Sequence, residues 1–557
     1  NGVDMINFDA LTLKAFISEN EDYLTGATIK KIQQPSRREL VLQLRNNGEN
    51  KKLYFNINPE FFHICFTEDL QKRGISIPDA APMFCMLLRK YLQNAKIAKV
   101  FQPFGERIIE LHFQYKDALE DVQTVCLTTE LMGKYSNIIL YNYDSKMIYG
   151  CAHNVGEEKS KVRELSGTLP YVYPVKQDKS DFLKVTFSDF LAIVGGNCDE
   201  TSLAFELSND YHYITMPFVK QVLKMLNTNF SKIDDVKNLY EKIRKTVSLQ
   251  EYQPSVNDSC SEYSLVLGVG MDFCPKENVN EMIDFYFTEN QIQKILKQKK
   301  TRIFNHLDIL SKKLTKQVDN FNLKMADVEK ADVYRLKGDI LMMNINEKVA
   351  PKLSLQNPYD ATVVEIELDE RFSIVQNANR YYKLYKKTKN AINYAASQID
   401  ELQAEISKIE EQKFYTEIAS SIADVDEILS ELGLKKDAEM KKTKKVVVNL
   451  ECHDIDGFKV YLGKNSVQND YLLSKVASPE DLWFHPLNMH GAHVILKKND
   501  KKVSNEVLLA CAKLAKRFSK AQNDAKIPII YTERKYVKKA NSKLAFVTYK
   551  NETEIYC

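Results

Sequence analysis

Between Lys276 and Leu432 there is a single glycine, Gly338, in 157 residues. Glycine is the commonest interrupter of helices after proline, so its near absence removes the usual breakers and predicts long helices through this stretch. No apolar run approaches the roughly 20 residues that a spanning helix needs, so no membrane segment is expected. The ten cysteines lie apart (65, 85, 126, 151, 198, 260, 274, 452, 511 and 557), with no C-x-x-C pair. That scatter reads as reduced thiols and disfavours a zinc ribbon, whose tetrahedral site needs closely spaced soft ligands. The first residues carry Asp4, Asp9 and Glu19 where an export signal would have an apolar core. A cytoplasmic protein is therefore expected. G-x-S-x-G and the phosphate-binding G-x-x-x-x-G-K-[ST] are also missing, and no paired carboxylates form a motif of their own. Neither a catalytic residue nor a bound cofactor is expected.

What is present is length and an uneven charge. At 557 residues the chain is long enough for three or four domains at about 100 to 200 residues each. The net charge is only +3, but from Lys441 to Cys557 there are 22 Lys and Arg against 12 Asp and Glu, leaving 56 against 63 for the remainder. A C-terminal surplus of that sign favours phosphate backbones. The lysine pairs Lys441–Lys442 and Lys444–Lys445 read more simply as solvated linker.

Apolar positions recur in three- and four-residue steps from Ile292 through Leu296, Ile303, Leu307, Leu314 and Phe321 to Val328. They recur again from Ile392 through Ala395, Ile399, Leu402 and Ile406 to Ile409. Each run is a coiled-coil seam. Pro351, Pro358 and the strand-like Val363–Leu368 separate them, so the two helices must fold back on each other. About 50 residues per helix span about 75 Å at 1.5 Å per residue, which predicts an exposed antiparallel arm with a small tip module rather than a packed helical domain.

The single tryptophan, Trp483, and three of the nine histidines fall in a strand-and-loop stretch from Asp456 to Leu496. With Lys464, Asn465, Gln468, Asn469, Asp470 and Lys475 they read as a polyanion-facing surface: aromatic and histidine faces for stacking on unpaired bases, lysines and amides for phosphates and 2′-hydroxyls. The alternatives are a core Trp483 and a metal site at His485, His490 and His493, the latter without a cysteine or carboxylate to complete it.

This stretch, together with PMFCMLLRKYL (Pro82 to Leu92), FGERII (Phe104 to Ile109), ELMGKYSNIIL (Glu130 to Leu140) and QNANRYYKLYKK (Gln376 to Lys387), resembles the NFACT family, with the five landmarks in the family's order. The resemblance implies a multidomain α+β protein. Its parts would be an α+β NFACT-N domain (5–178), a helical, helix-hairpin-helix-like domain (179–275), a first coiled-coil helix (276–348), a tip module (349–372), a second coiled-coil helix (373–440) and an α+β RNA-binding NFACT-R domain (441–557). Gly195–Gly196 is the only hairpin candidate in the helical part.

The function implied is ribosome-associated quality control. The partners would be the large ribosomal subunit, through its RNA and proteins, the peptidyl-tRNA held there, and a recruited alanyl-tRNA for alanine tailing of the stalled chain. The ribosome itself would make the peptide bond. Glu106 and Arg107 match the family's Asp-Arg pair for transfer RNA, with Glu in place of Asp. Taken alone, the pair reads as a surface ion pair worth about 0 to 1 kcal/mol. Glu130, Leu131 and Met132 match further transfer-RNA positions, where a structural turn is the plain reading. Asp9 matches more loosely and reads equally as a helix N-cap. Lys464, Asn465, Gln468, Asn469, Asp470, Lys475, Trp483, His485 and His493 would contact ribosomal RNA. Arg380, Tyr381 and Tyr382 would either dock on RNA or seat the tip module. The family motif has Pro-Gly-Ser-His where this chain has His490-Gly491-Ala492-His493, and a proline where it has Ala540. Since the chain ends at VTYKNETEIYC, a bacterial-type member is expected. A fibronectin-binding surface adhesin, the sense of an older family name, and a DNA glycosylase-like enzyme are the competing readings.

Overall fold

The computed structural model describes residues 8–116, 122–156, 163–196, 199–227, 232–267, 272–325, 328–360, 362–434, 450–499, 501–539 and 547–557. Lys441–Lys442, Lys444–Lys445 and Ala540 lie outside the described residues. The chain divides into two compact units, Asn1–Lys294 and Ile295–Cys557.

The first unit opens with α1 (Ala10–Leu24), capped by Asp9, whose Oδ1 accepts the Thr12 N–H at 2.7 Å. An antiparallel sheet follows in the order β1 (Thr28–Gln33), β2 (Glu39–Asn46), β3 (Glu49–Asn56), β4 (His63–Phe66). After α2 (Met83–Leu92) comes a second meander of β5 (Ile97–Phe101), β6 (Ile108–Lys116), β7 (Val122–Glu130), β8 (Asn137–Asn142) and β9 (Ile148–Cys151). Backbone bonds join the two sheets at β1 and β5: Ile29 N–H donates to Ala95 O and Ile97 N–H to Ala27 O, both at 2.9 Å.

Four helices follow, α3 (Phe187–Gly196), α4 (Glu200–Asp210), α5 (Met216–Leu226) and α6 (Ile233–Val247), with Gly195–Gly196 closing α3. Short strands β10 (Ser255–Asn257), β11 (Tyr263–Ser264) and β12 (Phe273–Pro275) form a three-stranded sheet. One buried apolar cluster runs from Phe8 in the N-terminal sheets through these helices to Phe287. The boundary expected near residue 178 is thus a change of secondary structure, while the core continues across it.

Helix α7 (Val279–Met325) is 47 residues long and is followed by α8 (Val328–Met343). A hairpin of β13 (Lys352–Gln356) and β14 (Val363–Glu367) forms the tip, and α9 (Ile374–Ile418) returns. Phe321 meets Tyr394, Asp308 pairs with Lys413, and the Tyr382 hydroxyl donates to Asp339 at 2.7 Å, a set of pairings that makes the arm antiparallel. Gly338 sits where a Cβ would stand 2.8 Å from the Tyr382 ring, so only glycine lets the returning helix approach so closely.

The second coiled-coil helix is shorter than the expected 373–440. It stops at Ile418, and a separate helix, α10 (Ile422–Glu431), starts behind a capping box in which the Ser421 side chain and Asp424 satisfy each other's backbone N–H. The S-x-x-D spelling of Ser421–Asp424 carries that break without glycine or proline.

The C-terminal portion is a six-stranded antiparallel sheet. It is ordered β15 (Glu451–Ile455), β16 (Phe458–Gly463), β18 (His493–Leu496), β17 (Leu482–Pro486), β19 (Pro528–Glu533), β22 (Thr553–Tyr556). The short pair β20 (Lys538–Lys539) and β21 (Val547–Thr548) lies outside it. Helix α11 (Ser466–Tyr471) follows β16, and α12 (Asn505–Arg517) packs Val507, Cys511, Ala512 and Ala515 on one sheet face. The other face buries Trp483 with Leu472, Leu473, Ile495, Ile530 and Val537.

Candidate nucleic-acid interface

In the first unit, pairing of β6 with β7 sets Ile108 opposite Glu130. Two motifs more than twenty residues apart in sequence are thereby neighbours, and Leu131 N–H donates to Arg107 O at 2.9 Å. The turn before β6 is unusual: Phe104 holds φ at 56° and Gly105 at 66°. A side chain at Gly105 would meet His212 and Tyr213 at 3.2 Å. Left-handed backbone at a bulky, half-exposed phenylalanine is uncommon and marks a turn held by its surroundings. Beyond it, the Arg107 guanidinium lies 5.4 Å from the Phe62 ring centroid, and no ion pair joins it to Glu106 among the described residues. Arginine stacking, rather than the neighbouring carboxylate, therefore orients Arg107. Glu106 Oε1 is buried without a hydrogen-bond partner among the described residues. Asp9 is close enough for the Arg107 charge to act on it, and burial outweighs that charge and the Thr12 bonds, raising its carboxyl above the ordinary value.

Glu130 and Leu131 are placed differently from expectation. Both are fully buried. Glu130 takes a bidentate pair from Arg163 at 2.6 and 2.7 Å and accepts the Tyr171 hydroxyl at 2.9 Å, while Leu131 belongs to the core. These two residues build the wall of the site; neither presents a group to solvent. Met132 stays partly exposed and lines a groove of about 1830 Å³ that also collects Arg37, Arg38, Met83, Lys134 and Tyr135. Met83 is 87% exposed and Tyr135 65%. Arginines, a lysine and uncovered apolar faces together suit phosphates and unpaired bases. Arg37 and Arg38 lie outside every family landmark, whereas Met83, Lys134 and Tyr135 sit inside landmarks without a role having been read for them.

In the second unit most of the expected RNA-contacting side chains face inward. Lys464, Asn465, Gln468, Asn469, Trp483 and His493 are buried. Asn465 Nδ2 donates to Glu427 at 2.8 Å, and Gln468 Nε2 to Asp424 at 3.0 Å and Glu427 at 2.9 Å. Lys464 Nζ donates to Ser420 at 2.8 Å and is ion-paired with Glu451. Asn469 Nδ2 donates to Tyr415 at 3.1 Å. These groups fasten the β16–α11 turn to the base of the arm at α9 and α10. The expected polyanion-facing surface is corrected at these positions, because a helix pair covers them.

Trp483 stacks on His485 with ring centroids 5.5 Å apart and meets His493 edge-on. Burial drives the His485 pKa down to about 4 and holds His493 well below the usual imidazole value. Trp483 and His493 are thereby core residues, and His485 is partly exposed beside them. Asp470 pairs with Lys539. Lys475 is exposed, as are Lys513, Arg517 and Lys520 on and after α12, and each is available to a phosphate. In the arm, Arg380 donates to Asp369 at 2.8 Å, Tyr381 to Glu367 O at 2.7 Å, and Tyr382 to Asp339. Of the two readings weighed for this cluster, these bonds serve the seating of the tip.

Among the described residues one His, Cys and carboxylate set lies close enough to share an ion: Glu110, His112 and Cys126, all buried. Glu110 already accepts from His112 at 3.0 Å, Tyr141 at 3.1 Å, Tyr173 at 2.5 Å and Thr128 at 3.4 Å, and burial pushes the Cys126 thiol up to about 12. A saturated carboxylate and a protonated thiol make this a hydrogen-bond network.

Comparison with known proteins adds the family. The model of the NFACT N-terminal and middle domains matches residues 9–447, and that of the NFACT protein RNA binding domain matches 448–548. The chain belongs to the NFACT family. The Rqc2 homolog RqcH of Streptococcus suis is 30% identical, covering 98% of this chain and 97% of its own length. That of Bacillus subtilis is 25% identical over 99% and 98%. Among solved structures, the N-terminal part of the fibronectin/fibrinogen-binding protein from Streptococcus suis is 24% identical, covers 51% of this chain and all of its own, and has a TM-score of 0.42. Among the described residues of this NFACT protein no helix is long and apolar enough to cross a membrane.

Proposed function

We propose that this NFACT protein is a ribosome-associated quality-control factor. It binds the large ribosomal subunit that still holds peptidyl-tRNA and recruits alanyl-tRNA, so that the stalled chain receives a C-terminal alanine tail while the ribosome makes each peptide bond. The observation that carries the reading is the meeting of the Arg107 turn with the Met132 turn through β6–β7 pairing, next to a groove rimmed by Arg37, Arg38 and Lys134. An RNA-binding module and an arm whose returning helix alone spans about 68 Å supply the separate contacts a ribosomal particle requires. Several weak surfaces on one chain bind tightly together, because each engaged surface raises the effective concentration of the next.

The test is to recover the tagged protein from its own cells, separate it on a sucrose gradient and sequence the RNA that travels with it. The protein should co-migrate with free large subunits and enrich alanine transfer RNA. Arg107→Ala should lose the transfer RNA and keep the subunit. Loss of both together, or enrichment of neither in the unmodified protein, overturns the reading.

A further inference from the structure

We propose that the joint where β1, α2 and β5 meet is a binding surface for base-paired RNA, separate from the groove and reading only the phosphate backbone. Residues 23–38 and 80–105 contain eight lysines and arginines and no aspartate or glutamate. This lies within a part of the chain, residues 1–440, that is acidic overall. The backbone bonds between β1 and β5 bring the two acid-free stretches together, and α2 locks onto them: Arg89 donates to Ile32 O at 2.9 and 3.1 Å, and Gln93 to Lys30 O at 2.7 Å.

Both strands carry the same device. The β1–β2 register shifts between Ile29 and Lys31, and the β5–β6 register between Ile97 and Lys99. A bulge inserts one extra residue, so two consecutive side chains turn to the same side. In β1 these are Lys30 and Lys31, both exposed between buried Ile29 and Ile32; in β5 they are Ala98 and Lys99, exposed between buried Ile97 and Val100. Lys90 and Lys96 complete the exposed strip. No described carboxylate pairs with any of these lysines. The strip's exposed ring, Phe101, lies beneath the Lys99 ammonium at 4.9 Å, and Tyr91 is stacked on Tyr149.

Five uncompensated lysines around a single exposed ring suit a helical stem, whose bases are hidden and whose phosphates are not. At the end of β1 the strip runs into Arg37 and Arg38 on the groove, where Tyr135 and Met83 are open to unpaired bases. A stem on the strip and its loop in the groove is the arrangement this fits. The inference deepens the transfer-RNA reading, since it names the part of that ligand each surface takes.

The experiment measures binding of the full chain to a short RNA hairpin, to an alanine transfer-RNA transcript and to a single-stranded oligonucleotide over a range of salt. Lys30→Glu/Lys31→Glu/Lys99→Glu should weaken hairpin and transfer-RNA binding at least tenfold, lower the salt slope by about three, and leave the single strand unchanged. The matching triple alanine variant should give a smaller loss in the same order, and it carries the test if the glutamate variant melts early. Hairpin binding with unchanged affinity and slope overturns the proposal, as does equal loss on the single strand. If the unmodified protein holds the hairpin through this strip but enriches no transfer RNA in cells, the surface stands and the wider reading fails. Arg107→Ala losing transfer RNA while the lysine variants keep hairpin affinity has the opposite meaning.

Discussion

The groove lined by Met132 and the β16–α11 turn both gather polar side chains, with opposite fates. At the groove, Arg37, Arg38, Lys134 and Tyr135 remain open. At the turn, Lys464, Asn465, Gln468 and Asn469 are covered by α9 and α10 and spend their donors on Ser420, Asp424, Glu427 and Tyr415. The difference is whether another element packs over the polar group. Once covered, such a group must be satisfied inside the protein, since an orphaned buried donor or acceptor costs about 1–3 kcal/mol. A polar cluster in a loop thus describes a ligand surface and a domain joint equally well.

The largest effect should come where the two behaviours meet, at the groove wall. Glu130→Ala leaves Arg163 without its buried partner and should cost about 3–5 kcal/mol in urea unfolding. A loss below about 1 kcal/mol would mean that Glu130 faces the groove rather than supporting it. Next is the pH response of the C-terminal module. His485 and His493 are harder to protonate when folded than when unfolded, where imidazole titrates near 6.5. Their contribution is therefore complete above about pH 6.5 and lost as pH falls toward 4, by the linkage between proton binding and folding. Thermal melts between pH 7.5 and 4.5 should show the loss, and His485→Asn/His493→Asn should flatten it.

Gln468→Ala removes donors from Asp424 and Glu427 and should cost about 1–3 kcal/mol, with the salt slope of RNA binding unchanged. A changed slope would restore Gln468 to an RNA-facing role and erase the contrast between the two regions. The smallest stability effect belongs to exposed Lys475→Ala, within about 0.5 kcal/mol. Its salt slope should fall by about one if it contacts a phosphate.

Much of the fold was legible because periodicity reports burial directly. The arm followed from the missing glycines and the two seams, and Leu296, Ile303, Leu307, Ala395 and Ile409 are buried along them. The end of α9 was not read at Ile418, because a capping box is a weaker signal than glycine or proline. The family landmarks brought attention to the correct segments but could not give side-chain direction. Asp9 does act as the cap of α1, as its plain reading allowed, and Phe62 orients Arg107 from a segment that carried no motif.

By itself the sequence determined the helical arm, the alternation of strands and the basic C-terminal portion, since these depend on local spacing and composition. Tertiary structure decided which polar residues remain available. It brought Arg107 beside Met132, placed Lys30 and Lys31 across a sheet joint from Lys99, and turned Gln468 inward. Those outcomes rest on strand register and on helices packed from distant parts of the chain, and neither is encoded within the few residues of a motif.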